Sequence, residues 1–119
     1  MNKTALIAAS RPDERQALTE WLAINDVDIE TVPSGQRAIE HMTHGRPDIV
    51  LAQLSMDDMS GLRLAHYLKA HEGFAGVPVI LLCRDEREMR LVDGQWPAFI
   101  FEAPVNPALI SELKRELVN

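Results

Sequence analysis

Short, wholly apolar runs alternate along the chain with segments whose apolar residues recur at helical spacing. The first run is Ala5-Leu6-Ile7-Ala8-Ala9. An unbroken run of this length reads as a strand buried on both faces. Ser10 then stands as a candidate N-cap, with Pro12 in the first turn, where a missing N–H costs nothing. Leu18 and Leu22 repeat at helical spacing behind it. Val27 to Val32 is a second strand with acids at alternate places, and Pro33-Ser34-Gly35 starts a helix through Ala38, Ile39 and Met42. Asp48-Ile49-Val50-Leu51-Ala52-Gln53-Leu54 is the clearest strand; a loop over 56–60 and a helix from Gly61 to about Ala70 follow it. Val77 to Cys83 is the fourth strand, and Asp85 to Val92 is charged and poorly striped, so a short or irregular helix is expected there. Phe99-Ile100-Phe101 is the fifth strand, and Asn106 caps a last helix through Leu109, Leu113 and Leu117.

Buried strands separated by single helices pair in parallel through right-handed crossovers. The expected fold is α/β: a flavodoxin-like, doubly wound, five-stranded parallel sheet in the order 2-1-3-4-5 with about five helices. No repeat, low-complexity tract or linker interrupts the pattern, so residues 1–119 are expected to form a single domain. In such sheets the working crevice lies at the carboxyl ends of the strands. Attention therefore falls on 8–11, 53–55, 83–84 and 102–104.

Composition narrows the function. Hydrophobic residues make up 46% and charged residues 25%, values of a globular protein. A net charge of −6 argues against a nucleic-acid surface, which needs clustered Lys and Arg. The single cysteine, Cys83, cannot form an internal disulfide, which suits a reducing compartment. Charges at Arg11, Asp13, Glu14 and Arg15 interrupt any leader-like run, and no apolar stretch approaches membrane-spanning length. A cytoplasmic location, with no membrane contact, is expected.

The segment Pro47 to Gly61 resembles the third strand and following loop of bacterial response-regulator receiver domains. Leu6 to Pro12, with Arg15, Leu18 and Leu22, falls in register with the same family. So does Pro78 to Cys83, followed some twenty residues later by Ala103-Pro104. The resemblance implies a phosphorylation site at the strand ends. In the family, two acids after strand one help hold magnesium, an aspartate ending strand three is phosphorylated, a Thr or Ser ends strand four, and a Lys precedes the proline after strand five. Carried across, the acid pair falls on Ala9 and Ser10, the phosphoacceptor on Gln53, the hydroxyl on Cys83 and the lysine on Ala103. Pro12, Gly61 and Pro104 are kept, and the outward aromatic of strand five falls on Ile100.

These departures imply a degenerate receiver, a pseudo-receiver, that signals by protein–protein interaction without phosphorylation. No catalytic residue, metal ligand or cofactor is expected. The partner is expected to be another protein, a second copy in a homodimer, or an attached output domain. Ile100, Ile110 and Lys114, with Trp21 as an alternative, are the candidate interface. Two rivals stand beside this reading: a phosphorelay switch with an unorthodox acceptor, and a small-ligand pocket at the altered strand ends. Asp57, Asp58, Asp85 and Glu102 read as solvated loop charges. His41, His44, His66 and His71 read as surface histidines rather than metal ligands. Cys83 reads as a small buried residue, and Trp21 and Trp96 as packing.

Overall fold

Residues 2–23, 27–101 and 106–118 are described by a computed structural model of the chain. Five strands alternate with five helices: β1 (Lys3–Ala8), α1 (Pro12–Trp21), β2 (Val27–Val32), α2 (Gly35–His44), β3 (Ile49–Gln53), α3 (Gly61–Ala70), β4 (Val79–Cys83), α4 (Glu86–Met89), β5 (Ala98–Ile100) and α5 (Pro107–Val118). The sheet order is β2-β1-β3-β4-β5, and every pair is parallel. The expected topology is therefore the observed one.

The apolar runs explain which strands sit in the middle. Each residue of β3 and β4 is buried, as are the last four of β1. Alternation sends their side chains to two separate cores. Leu6, Ala8, Val50, Ala52, Val79 and Leu81 meet Ala38, Met42, Leu64, Ala65 and Leu68 of α2 and α3. Ala5, Ile7, Ile49, Leu51, Ile80 and Leu82 meet Leu18 and Leu22 at the α1 side, and Leu109, Leu113 and Leu117 of α5. A Leu fully buried in this way contributes roughly 1.5–3 kcal/mol relative to exposure. Truncating one such as Leu81 to Ala should cost about 2–5 kcal/mol. At the edges the pattern weakens: β2 alternates between partly buried and exposed positions over its first four residues and buries Val32 at its end, and β5 is three half-buried residues.

Caps place the helix starts. Ser34 Oγ accepts from the Arg37 N–H, Ser60 Oγ from Arg63, Asp85 Oδ1 from Glu88 and Asn106 Oδ1 from Ala108. The expected Ser10 cap is not formed. Arg11 holds the N-cap position of α1 without a side-chain bond, Pro12 opens the helix, and Ser10 Oγ instead accepts from the Asp57 N–H at 2.9 Å. The α4 region is short, as expected: four helical residues, continued by single turns from Leu91 N–H to Glu88 O and from Val92 N–H to Met89 O.

Candidate functional site at the strand ends

In a doubly wound sheet each helix that follows a strand starts at the carboxyl edge of the sheet. The first turns of α1 and α4 therefore face the ends of β1, β3 and β4, and their side chains fill the crevice.

Gln53 ends β3 and is 3% exposed. Its Nε2 donates to Glu14 Oε2 of α1 at 2.5 Å, while its Oε1 is buried without a hydrogen bond. The other Glu14 oxygen makes no hydrogen bond either, but lies 3.5 Å from the Arg84 guanidinium and 3.8 Å from that of Arg11. The Glu14 side chain is only 15% exposed, so this carboxylate is screened little by solvent. Gly61 completes the end of β3. A Cβ there would lie 2.5 Å from the Gln53 carbonyl oxygen, so glycine is required for α3 to start this close to the strand.

At the end of β1, Ala9 is fully buried and Ser10 partly so. Arg15 Nη1 donates to the carbonyls of Ala9 at 2.7 Å and Ser10 at 3.1 Å. Cys83, at the end of β4, is buried, and burial pushes its thiol up to about 11, with the Glu88 and Asp85 charges adding to the rise. A thiol held protonated in this way is a poor nucleophile at neutral pH. Ala103 and Glu102 lie outside the described residues.

Two acids read as solvated loop charges have structural partners. Asp58 takes the Gly35 N–H at 3.0 Å and the Gln36 N–H at 2.8 Å, at the start of α2. Burial pushes its carboxyl up, but these two N–H groups, with its own and that of Met59, outweigh it and hold the group below its ordinary value. Asp85 caps α4. Nor is His41 a plain surface histidine: it is half-buried, pairs with Glu30 of β2, and has a buried Nδ1 without a hydrogen bond. Among the described residues no group of three or more His, Cys, Asp or Glu gathers as a metal site, and no helix is long and apolar enough to cross a membrane.

The site residues that sequence reasoning passed over are Glu14 and Glu88, while Arg15 and Arg84 were noted without the contacts they make here. Glu88 is 9% exposed, although it belongs to the most highly charged stretch of the chain. Its Oε1 accepts from the Arg84 N–H at 2.8 Å and its Oε2 from Ser55 Oγ at 2.5 Å. The available signal was positional: acids in the first turns of α1 and α4 stand at the crevice once the topology is accepted.

The candidate interface residues are divided. Phe99 and Phe101 pack on the α1–α5 core, and the half-buried Ile100, which stands between them in the chain, joins neither core among the described residues. Ile110 packs against the α1–α5 core, and Lys114 is exposed. The Trp21 side chain lies outside the described ones. Trp96 packs on the α2–α3 core, edge-on to His66 at 4.6 Å. The exposed large apolar residues among those described are Leu91 and Tyr67.

Comparison with known proteins places this geometry. Two relatives share part of the sequence. The sensor histidine kinase TmoS of Ectopseudomonas mendocina is 32% identical over 77 residues, 65% of this chain and 8% of TmoS. The probable transcriptional regulatory protein TcrX of Mycobacterium tuberculosis is 32% identical over 89 residues, 74% of this chain and 37% of TcrX. The chain thus spans well under half the length of either. Among solved structures, a sensor protein from Polaromonas sp. JS666 superposes with a TM-score of 0.84 at 22% identity, over 100% of this chain and 98% of that one. The receiver domain of a signal transduction histidine kinase from Syntrophus aciditrophicus gives 0.81 at 27% identity, over 98% and 90%. Residues 5–94 match the response regulator receiver domain family. With its 2-1-3-4-5 sheet and its crevice at the strand ends, the chain belongs to that family, the regulatory modules of two-component signalling.

Proposed function

We propose that this receiver domain regulates through protein–protein contact without accepting a phosphoryl group. The observation that carries the reading is the state of residue 53: a neutral amide, buried, and bonded to the Glu14 carboxylate. Phosphoryl transfer to a side chain needs an anionic oxygen nucleophile, a divalent cation and cationic donors for the developing charge. A glutamine amide is no such nucleophile. The end of β1 does not fit magnesium, which wants hard oxygen ligands. Ala9 has no side-chain donor, the Ser10 hydroxyl is taken by the Asp57 N–H, and the carbonyls of both residues are taken by the Arg15 guanidinium. A cation set beside that guanidinium would also be repelled.

Output then runs to a partner protein, a second copy or an attached domain. The relatives support an attached or associated partner, since most of their length lies outside the matched segment. The face around Ile100 and Lys114 is the proposed contact, because Ile100 is an apolar residue on the short edge strand that joins neither core. The deciding experiment is intact-mass measurement after incubation with acetyl phosphate and magnesium. The mass is expected to stay unchanged. A stoichiometric gain of one phosphoryl group would overturn the proposal.

A further inference from the structure

Glu88 hydrogen-bonds to both loops flanking the crevice. Its two carboxylate oxygens take the Arg84 N–H, just after β4, and the Ser55 hydroxyl, just after β3. Its own N–H is held by Asp85, and its carbonyl accepts from Leu91 N–H at 2.9 Å. One residue therefore joins the ends of two central strands to the exposed Leu91, which is 65% accessible. A four-residue helix has little stability of its own, so its position must come from such tertiary bonds. Charge-assisted bonds are roughly twice as strong as neutral ones, and this carboxylate makes two of them where solvent hardly reaches.

Acceptor oxygens placed at a strand-end crevice can order the loops around it, which is how an added phosphoryl group acts on a switch segment. Here the acceptor oxygens belong to the chain itself. We propose that Glu88 is a built-in anionic clasp: its carboxylate holds the loops after β3 and β4 in one arrangement, and so fixes the 84–92 segment without any external group. The inference rests on the phosphorylation-independent reading above and adds how the single state is held. Glu88 is a positioning residue; it acts on the surface through Arg84 and Leu91.

The test is amide hydrogen exchange and relaxation dispersion on isotope-labelled full chain, comparing wild type with Glu88→Ala, Glu88→Gln and Ser55→Ala. In wild type, residues 84–92 should show one conformation. In Glu88→Ala, the Arg84 amide should exchange about tenfold faster or more, the factor expected from losing one strong hydrogen bond. Residues 84–92 should also gain microsecond-to-millisecond broadening, while amides of β1 and β3 stay protected. Glu88→Gln should fall between wild type and Glu88→Ala. Ser55→Ala should move the same amides by less, and it carries the test if Glu88→Ala does not fold. Unchanged exchange at 84–92, or a uniform acceleration across the whole sheet, would overturn the clasp. Intact mass after acetyl phosphate, taken on the same samples, separates the two ideas. A phosphoryl gain with the local 84–92 effect intact removes the proposed function and keeps the clasp, whereas no gain with unchanged exchange removes the clasp alone.

Discussion

Gln53 sits where the strand order brings most of the crevice together, and its surroundings make its chemistry testable one atom at a time. The amide donates to Glu14 Oε2, and Glu14 in turn faces two guanidinium groups. Gln53→Asp would remove the donor and set a second carboxylate against the first. Like charges at short range raise the pKa of one member, so the folded state takes up protons that the unfolded chain does not. The variant should therefore lose roughly 1–3 kcal/mol near neutral pH, the range for leaving a buried polar group unpaired, and recover part of it as pH falls. It should also remain unphosphorylated, because Ala9 and Ser10 still offer no carboxylate for a metal. Denaturant titration at two pH values checks the stability, and adding Glu14→Gln to Gln53→Asp should restore most of it. A Gln53→Asp protein as stable as wild type would mean that the Glu14 bond contributes nothing. At this scale the sequence was informative where a position is read from the strand pattern, as with Gln53 and Cys83. It was silent where a partner comes from another element. Glu14 reads as an ordinary first-turn acid, and only the packing of α1 beside the end of β3 turns it into the partner of Gln53.

Elements were legible in proportion to how far their residues are buried. β3 and β4 are apolar throughout and were found as runs, whereas β5 contributes three half-buried residues and its limits differ by one from the expected 99–101. The links between elements were less visible, because they depend on side chains reaching backbone N–H groups across long separations. Asp58 is the clearest case: a loop acid after β3 that holds the first N–H groups of α2. Its carboxyl lies below the ordinary value despite the opposing effect of burial, so the ionised form is the one that stabilises the fold. A depressed folded pKa contributes stability that is present above the unfolded value of 3.8 and is lost as pH falls through the folded value. Each Asp58 oxygen accepts one N–H and an amide keeps only one acceptor, so Asp58→Asn should cost about 1 kcal/mol near pH 7, the usual net worth of one hydrogen bond. The gap to wild type should close as the pH drops below about 4. Melting curves of both proteins across that range give the answer directly. No gap at any pH would show that the amide serves α2 as well as the carboxylate does, and a gap that persisted at low pH would show that ionisation is not what stabilises the contact.

For the molecule as a whole, the alternation of runs and stripes gave a parallel, doubly wound sheet, and the flavodoxin-like arrangement common for five strands supplied the order 2-1-3-4-5 that is observed. What the pattern could not give is how the crevice is closed, since that depends on Glu14 and Arg15 of α1 and Glu88 of α4 arriving from two separate helices. Their combined effect is a strand-end region already satisfied by its own charges. This bears on how the protein responds to magnesium. A ligand that binds only the folded state stabilises it by about 2.7 kcal/mol at 100 times its Kd. In a domain of this size that raises the melting temperature by several degrees. On the proposed reading the family's acids fall on Ala9, Ser10 and Gln53, none of which carries a carboxylate, and an arginine covers the carbonyls of Ala9 and Ser10. The melting temperature should therefore move by less than about 1 °C between chelator and millimolar magnesium. Ionic strength must be held constant, because screening alone acts on a net charge of −6. A saturable rise of several degrees would contradict this expectation. If that rise vanished in Asp57→Asn, whose parent aspartate stands beside Ser10 through its backbone N–H, the rim acids would be holding a cation at the end of β1.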